Sequence, residues 1–330
     1  MIHRFVAAGL LLAGLSSTAL ASQGRNAGSL LVYPEFDNRH GTYTILTVTN
    51  VETAEKEEPI VAEFVYVGRY EGPNNDDNFC QEFNRREALT PADTFTCLTD
   101  VHNPQDDQGY VFIYAREFLG QPGGQPLAGD AIRHNFLTGN VVTIDGYRAF
   151  EFSVNPVSYL GINADNGDGD LLLDGNEYGR SPGEIVIPRF LGQNGMRQSE
   201  LILLALSGGP LDDTTVDFLI FNDNEEIFSS EFTFRCWDRV YLTDISLLFE
   251  NDFLADYTND AMDEILGYSS VEAGWIHITG HLWGNSDMSY ADPSIYAVLV
   301  ERYGHLGVAD LPFETGTDRD NGVLRAVVDN

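Results

Sequence analysis

Short apolar or alternating runs, each broken by Gly, Asn, Asp or Pro, fill most of the chain beyond its N-terminal stretch. Leu30-Leu31-Val32-Tyr33, Tyr43 to Val51, Ile60 to Val67, Tyr110 to Ala115 and Val141 to Ile144 have strand length and strand period. Asp145-Gly146, between Val141–Ile144 and Tyr147–Phe152, suits a two-residue hairpin turn. One stretch reads as helix: Thr258 or Asn259 can cap it, Met262, Ile265 and Leu266 share a face, and Gly267 can stop it. This pattern predicts an all-β protein with one short helix in its second half.

The order of elements recurs. Tyr33-Pro34-Glu35-Phe36 matches Ile187-Pro188-Arg189-Phe190, and Gly109-Tyr110-Val111 matches Gly274-Trp275-Ile276. Thr44 to Val48 is followed by Glu63-Phe64-Val65-Tyr66, as Leu201 to Leu204 is followed by Asp217-Phe218-Leu219-Ile220. Arg86, Leu89 and Thr90 have the mutual spacing of Arg239, Leu242 and Thr243, and Phe136-Leu137-Thr138-Gly139 resembles Phe313-Glu314-Thr315-Gly316. Matches in one order predict a duplication. Each unit has the size and grammar of an immunoglobulin-like sandwich, in which two sheets bury alternate residues between them. A single larger jelly roll is the competing architecture, and the repeat argues against it. The predicted organisation is residues 28–160 and 183–330 as tandem sandwiches, with 161–182 as an acidic Gly/Asp-rich linker.

Thr47-Val48-Thr49-Asn50 and Leu89-Thr90-Pro91-Ala92-Asp93-Thr94 resemble the "TVTN" and "L-x-P-x-D/E" phrases of bacterial cell-surface immunoglobulin-like domains. The chain as a whole is similar to exported bacterial proteins with tandem immunoglobulin-like β-sandwich domains. The second unit departs from the pattern, with Leu206-Ser207-Gly208 and Leu242-Thr243-Asp244. The resemblance implies a fold and a location outside the cytoplasm, and no activity.

The N-terminus agrees on location. His3 and Arg4 precede the apolar run Phe5–Leu15, and Ala19-Leu20-Ala21 is a small-residue cleavage site, so residues 1–21 read as a signal peptide. No segment reaches the length of a membrane span. The chain carries 51 acidic and 18 basic residues, a formal net charge of −33. That balance excludes binding to a nucleic-acid backbone, which needs Lys and Arg to displace counterions. It favours a soluble, self-repelling surface that attracts divalent cations.

The sequence has 3 cysteines, Cys80, Cys97 and Cys236. An ungapped match of Phe79–Leu89 to Phe232–Leu242 aligns Cys236 with Phe83, a core position. Cys236 is therefore expected buried and free, and any disulfide is expected to join Cys80 to Cys97.

Two segments carry candidate chemistry. Asp165, Asp168, Asp170, Asp174 and Glu177 crowd a glycine-rich stretch that would suit calcium, which takes six to eight oxygens. Asn166, Asp168, Gly169 and Leu171 fit EF-hand loop positions three, five, six and eight, but Ala164 and Gly175 occupy the first and twelfth. The other segment is Trp275-Ile276-His277-Ile278-Thr279-Gly280-His281-Leu282-Trp283. As a strand it places Trp275, His277, Thr279, His281 and Trp283 on one face, open to a sugar ring or a partner. The histidines would stand about 13 Å apart, too far to share one ion.

There is no nucleophile elbow, zincin motif, P-loop or dinucleotide fingerprint. The leading expectation is an exported, acidic, non-enzymatic structural or adhesive protein, calcium-stiffened, engaging a cell-surface polymer or protein. A carbohydrate-binding protein using the aromatic strand, and a secreted hydrolase on a β-sandwich scaffold, are the alternatives.

Overall fold

The structure is a computed structural model that describes residues 26–53, 58–71, 77–164, 170–209, 211–222, 226–257 and 272–325. It is nearly all β, as the alternation predicts. The chain runs through β1 (Leu30–Asp37), β2 (Thr42–Asn50), β3 (Ile60–Glu71), β4 (Asp77–Leu89), β5 (Thr94–Leu98), a one-turn α1 (Thr99–His102), β6 (Gln108–Gly120), β7 (Leu127–Ala131), β8 (Leu137–Asp145), β9 (Phe150–Val154), β10 (Val157–Tyr159) and β11 (Asp170–Leu173). It continues through β12 (Glu184–Leu191), β13 (Arg197–Ala205), β14 (Asp213–Asn222), β15 (Ile227–Phe234), β16 (Trp237–Tyr241), α2 (Leu242–Ile245), a 3-10 turn and α3 (Asn251–Tyr257), β17 (Ala273–Asn285), β18 (Met288–Ala291), β19 (Ile295–Tyr303), β20 (Leu306–Asp310), β21 (Phe313–Thr315) and β22 (Gly322–Arg325). The helix expected near Met262, Ile265 and Leu266 and the signal peptide lie outside the described residues.

The sheets repeat. One six-stranded sheet has the order β10-β1-β6-β3-β4 with β7 on β6, and the other has β21-β12-β17-β14-β15 with β18 on β17. The four-stranded sheets are β5-β2-β8-β9 and β16-β13-β19-β20. Strand for strand, β1 to β10 correspond to β12 to β21, and the remaining pair, β11 and β22, hydrogen-bond to each other.

Local details repeat as well. The β1–β6 register shifts between Tyr33 and Phe36, and the β12–β17 register shifts between Ile187 and Phe190, so Pro34 and Pro188 sit in equivalent bulges. Phe36 then faces Gly109 as Phe190 faces Gly274. A Cβ at Gly109 would run into the Val67 carbonyl, and one at Gly274 into the Phe221 carbonyl, so both motifs require the missing side chain.

Two of the sequence matches fall on strands that are not equivalent. Arg86 is on β4 and Arg239 on β16, while Leu137 is on β8 and Phe313 on β21. The strand order also departs from the immunoglobulin one, in which the final strand lies beside the strand that precedes it. Here β6 lies between β1 and β3, and β8 joins β2 in the facing sheet.

Within the first half the two sheets face each other across a core. The Tyr33 hydroxyl donates to the Thr47 carbonyl at 2.8 Å, and Phe64 meets Phe95 edge-on. Strands β1, β3 and β6 are buried on both faces, as are β13 and most of β19. The four-stranded sheet of the second half meets the first half along β1, β6 and β9. At this junction the Trp237 indole donates to the Pro34 carbonyl at 2.8 Å. Arg239 bonds Glu35 at 2.6 Å, and its Nε donates to Glu200 at 2.6 Å. Arg148 reaches the same Glu200 from the first half. Glu35, Arg239 and Glu200 are all buried. Burial opposes the Arg239 charge, but Glu35 and Glu200 outweigh it and hold the guanidinium protonated. Burial likewise opposes the Glu200 charge, and Arg239 and Arg148 overcome it, holding that carboxyl below its usual range. Glu35 remains raised because desolvation exceeds what Arg239 returns.

A disulfide joins Cys80 to Cys236 across the junction, and Cys97 is free. This overturns the expected free Cys236 and the Cys80–Cys97 pairing. The physical reason is local: Cys80 has φ 61° and Cys236 φ 55°. A left-handed residue interrupts the pleat, so counting alternate faces across it fails.

The junction also holds a titrating group. Burial, helped by Asp318, pushes the Glu314 carboxyl up to about 7 from its ordinary 4.5. It lies close enough to Tyr159 of β10 and Tyr296 of β19 to raise both phenols further. A raised carboxyl favours the folded state while protonated, so its contribution is complete below about 4.5 and is lost as pH rises through about 7. Thermal unfolding of wild type should therefore show a fall in stability across that window which Glu314→Gln removes. Parallel profiles for the two proteins would contradict the assignment.

Candidate functional site

The aromatic segment forms β17, at the middle of the second six-stranded sheet. Ile276 and Ile278 point into the core, at 0% exposure, which turns Trp275, His277 and Thr279 outward. The register builds a continuous outer face around them. Phe221 stands opposite both Trp275 and Ile227, and Leu219 opposite His277. Val186 stands opposite both His277 and Phe313, and Glu184 opposite both Thr279 and Thr315.

The face has a flat apolar end and a polar centre. Trp275 lies parallel to Phe221, with 3.9 Å between ring centroids and an interplanar angle of 2°. Trp275, Leu219, Ile227 and Phe313 are exposed, the last two at 63%. His277 Nε2 is 2.8 Å from Glu184, and His281 Nδ1 is 2.9 Å from Asp217. The histidines are thus held by separate carboxylates on neighbouring strands and do not converge on one ion.

Trp283 does not share this face. The β14–β17 register shifts between Thr215 and Val216, which inserts His281 as an extra residue. Beyond it Leu282 pairs with Thr215 and is exposed, while Trp283 pairs with the buried Thr214. Trp283 stacks on Tyr290 of β18 with 4.6 Å between centroids. The bulge was invisible to a count of alternate residues, and so were Phe221, Leu219, Ile227 and Phe313, which reach the site from other strands.

The corresponding face in the first half is closed. Val67 pairs with Tyr110 as Phe221 pairs with Trp275, so Tyr110, Phe112 and Tyr114 are the counterparts of Trp275, His277 and Thr279. Tyr110, Phe112 and Tyr114 are at most 6% exposed. The ion cluster Glu63–Arg86–Arg116 is buried beside them, and its counterpart outside is Asp217 with His281. The small cleft over Tyr110 and Val67 is walled by Ala205, Ser207, Cys236 and Val323 from the second half.

The acidic segment divides. Asp165 and Asp168 lie outside the described residues. Asp170 and Asp174 stand at opposite ends of β11, roughly 13 Å apart at the rise of a strand. Asp174 Oδ1 already accepts from the amides of Asn176 and Glu177, at 2.8 and 2.9 Å. Glu177 is buried. Among the described residues no group of three or more His, Cys, Asp or Glu side chains could hold a metal ion.

One hollow has residues of catalytic type: Arg85, Glu87, Phe95, Cys97, Val101 and His102 line it. His102 Nδ1 bonds the Tyr66 hydroxyl at 2.8 Å, and its Nε2 stands 3.6 Å from Glu87. Burial pushes the Cys97 thiol up to about 12, so it stays protonated and is a poor nucleophile. Among the described residues no helix is long and apolar enough to cross a membrane.

No protein-family model and no curated protein matches the chain. Among solved structures, the N-terminal CBM22-1-CBM22-2 tandem domain of Xyn10C from Paenibacillus barcinonensis aligns over 88% of this chain and 85% of its own, at 8% identity and a TM-score of 0.19. A chain from Broad Bean Stain Virus aligns over 94% of this chain and 99% of its own, at 11% identity and a TM-score of 0.19. Likeness at this level carries no argument about fold or function.

Proposed function

We propose that this chain is an exported, non-enzymatic structural or adhesive protein of the cell exterior. Its two sandwiches, residues 28–160 and 183–330, derive from one unit and are joined by the acidic segment 161–182. The observation that carries the reading is the unequal use of one surface. The outer face built on β6 is buried in the junction, whereas the equivalent face on β17 is open, aromatic and flat. A large exposed apolar patch on a protein with this surface charge is a binding surface. The Cys80–Cys236 bridge supports export, because such bonds persist outside the cytoplasm.

Each sandwich is closer to a jelly roll than to an immunoglobulin domain. The sheet pairing β1-β6-β3-β4 against β9-β8-β2-β5 supports this, with β9 standing where a jelly roll's first strand would be. The resemblance of "TVTN" and "L-x-P-x-D" to immunoglobulin-like domains then reflects local strand chemistry.

The test is retention of the labelled full chain on the envelope of the cells that secrete it. Trp275→Ala should reduce retention roughly tenfold or more, as for an aromatic hot spot. Unchanged retention would sink the reading. The carbohydrate alternative draws on the parallel Trp275–Phe221 stack beside His277 and Glu184. It predicts binding to purified polysaccharide that Trp275→Ala abolishes.

Calcium enters the proposal in narrowed form, through Asp165, Asp168 and Asp170, since Asp174 serves its own turn. These residues lead into β11, which pairs with β22 at the junction. Calcium at a hundred times its dissociation constant should then stabilise wild type by about 2.7 kcal/mol and leave Asp168→Ala/Asp170→Ala unmoved. Equal melting shifts in both proteins, or none in either, would remove calcium from the account.

A further inference from the structure

The junction inside the chain joins two kinds of face, and each has an unpaired counterpart on the outside. The receiving face is the outer side of the first six-stranded sheet, with Val65, Val67, Tyr110, Phe112 and Tyr114 buried. The inserting face is the outer side of the second four-stranded sheet, with Glu200, Ile202, Leu204, Trp237 and Arg239 buried. Duplication supplies a second receiving face around Trp275 and Leu219. It also supplies a second inserting face on the β5-β2-β8-β9 sheet. There Ile45, Thr47 and Thr49 hold the positions of Glu200, Ile202 and Leu204, and Leu98, Thr96 and Thr94 those of Tyr241, Arg239 and Trp237. Thr94, Thr96 and Leu98 are exposed, as is the neighbouring Tyr43.

We propose that the open face around Trp275 receives the β5-β2-β8-β9 sheet of a second copy of this chain, repeating between molecules the contact that joins the two halves within one. The inference rests on the reading of that face as the adhesive surface and names its partner. Both free faces are at opposite ends of the duplicated arrangement, so the contact is heterologous. Each molecule that binds leaves one face of each kind open, and the product is an open chain rather than a closed dimer.

The intermolecular faces lack the complementary charges of the internal junction. Thr96 replaces Arg239, and Arg189, already bonded to Glu301, replaces Glu35. No disulfide crosses them either. With a net charge of −33 on every copy, repulsion opposes assembly until salt screens it. Association should therefore strengthen as ionic strength rises, the reverse of an ion-pair interface.

The experiment is sedimentation velocity of the full chain over a range of concentrations at low and high salt. Wild type should show a concentration-dependent series of species beyond the dimer at high salt. Leu219→Glu, on the receiving face, and Thr96→Glu, on the inserting face, should each sediment as monomers with unchanged melting temperature. Mixed together they should form a one-to-one dimer and stop, because each supplies the face the other lacks. Wild type that stays monomeric at every salt and concentration, or a mixture of the two variants that does not pair, would overturn the proposal. Monomeric wild type that still loses envelope or polysaccharide binding on Trp275→Ala would overturn self-assembly alone and leave the adhesive reading standing. Monomeric wild type with retention indifferent to Trp275→Ala would remove both.

Discussion

Arg239→Ala will destabilise the protein by about 3–5 kcal/mol, the largest effect expected of any single surface-charge or ion-pair change here. The substitution leaves Glu35 and Glu200 buried with their principal counter-charge gone, and the cost is that of two stranded carboxylates rather than the worth of one ion pair. Arg239 also lies over the Phe152 ring, 5.4 Å from its centroid, so packing is lost as well. The sign with pH is distinctive. In wild type the depressed Glu200 contributes stability above its ordinary 4.5, lost as pH falls through its folded value. In the variant the stranded carboxylates are pushed upward, so their penalty is relieved by protonation. The gap between the two proteins should narrow as the solution is acidified. Equilibrium urea unfolding at several pH values measures it. A gap below about 1 kcal/mol at neutral pH would mean that water reaches the junction and screens it. Replacing Glu35, Arg239 and Glu200 together by Gln, Met and Gln should recover much of the loss, because no charge is then left unpaired.

Removing the Cys80–Cys236 bridge should cost about 5 kcal/mol by the chain-entropy estimate, because it closes a loop with a sequence separation of 156. The expected result for Cys80→Ser/Cys236→Ser is unfolding at much lower urea, with the same shift when wild type is reduced. Peptide mapping of the native protein should find the Cys80–Cys236 pair, with Cys97 labelled only after denaturation, in keeping with its raised thiol. A double variant as stable as wild type would show that the Arg239 cluster alone holds the halves together. Because the bridge and the cluster share β16 and its turn, their effects should be non-additive.

Much of the architecture could be read from residues whose roles are local. Pro34 and Pro188 mark equivalent bulges because a proline cannot donate to a ladder. Gly109 and Gly274 mark equivalent close approaches because no side chain fits against the neighbouring carbonyl. Glu63-Phe64-Val65-Tyr66 and Asp217-Phe218-Leu219-Ile220 alternate in step on equivalent strands, since period-two burial is a property of each strand. The matches that failed relied on spacing alone. Arg86 and Arg239 share their offsets to later residues, yet one belongs to a buried cluster with Glu63 and the other to the junction clamp.

The sequence by itself determined the all-β class, the recurring order of strands, and an outward-facing Trp275, His277 and Thr279, because alternation and turn chemistry act over a few residues. Tertiary structure alone decided which of two equivalent faces is buried, which cysteines meet, and where Trp283 points. Those outcomes depend on a one-residue bulge at His281, on left-handed backbone at Cys80 and Cys236, and on the docking of one sheet against another. None of these leaves a mark in local periodicity. A bulge changes the facing of every residue after it, and docking joins residues far apart in the chain, as Pro34 and Trp237 are joined here.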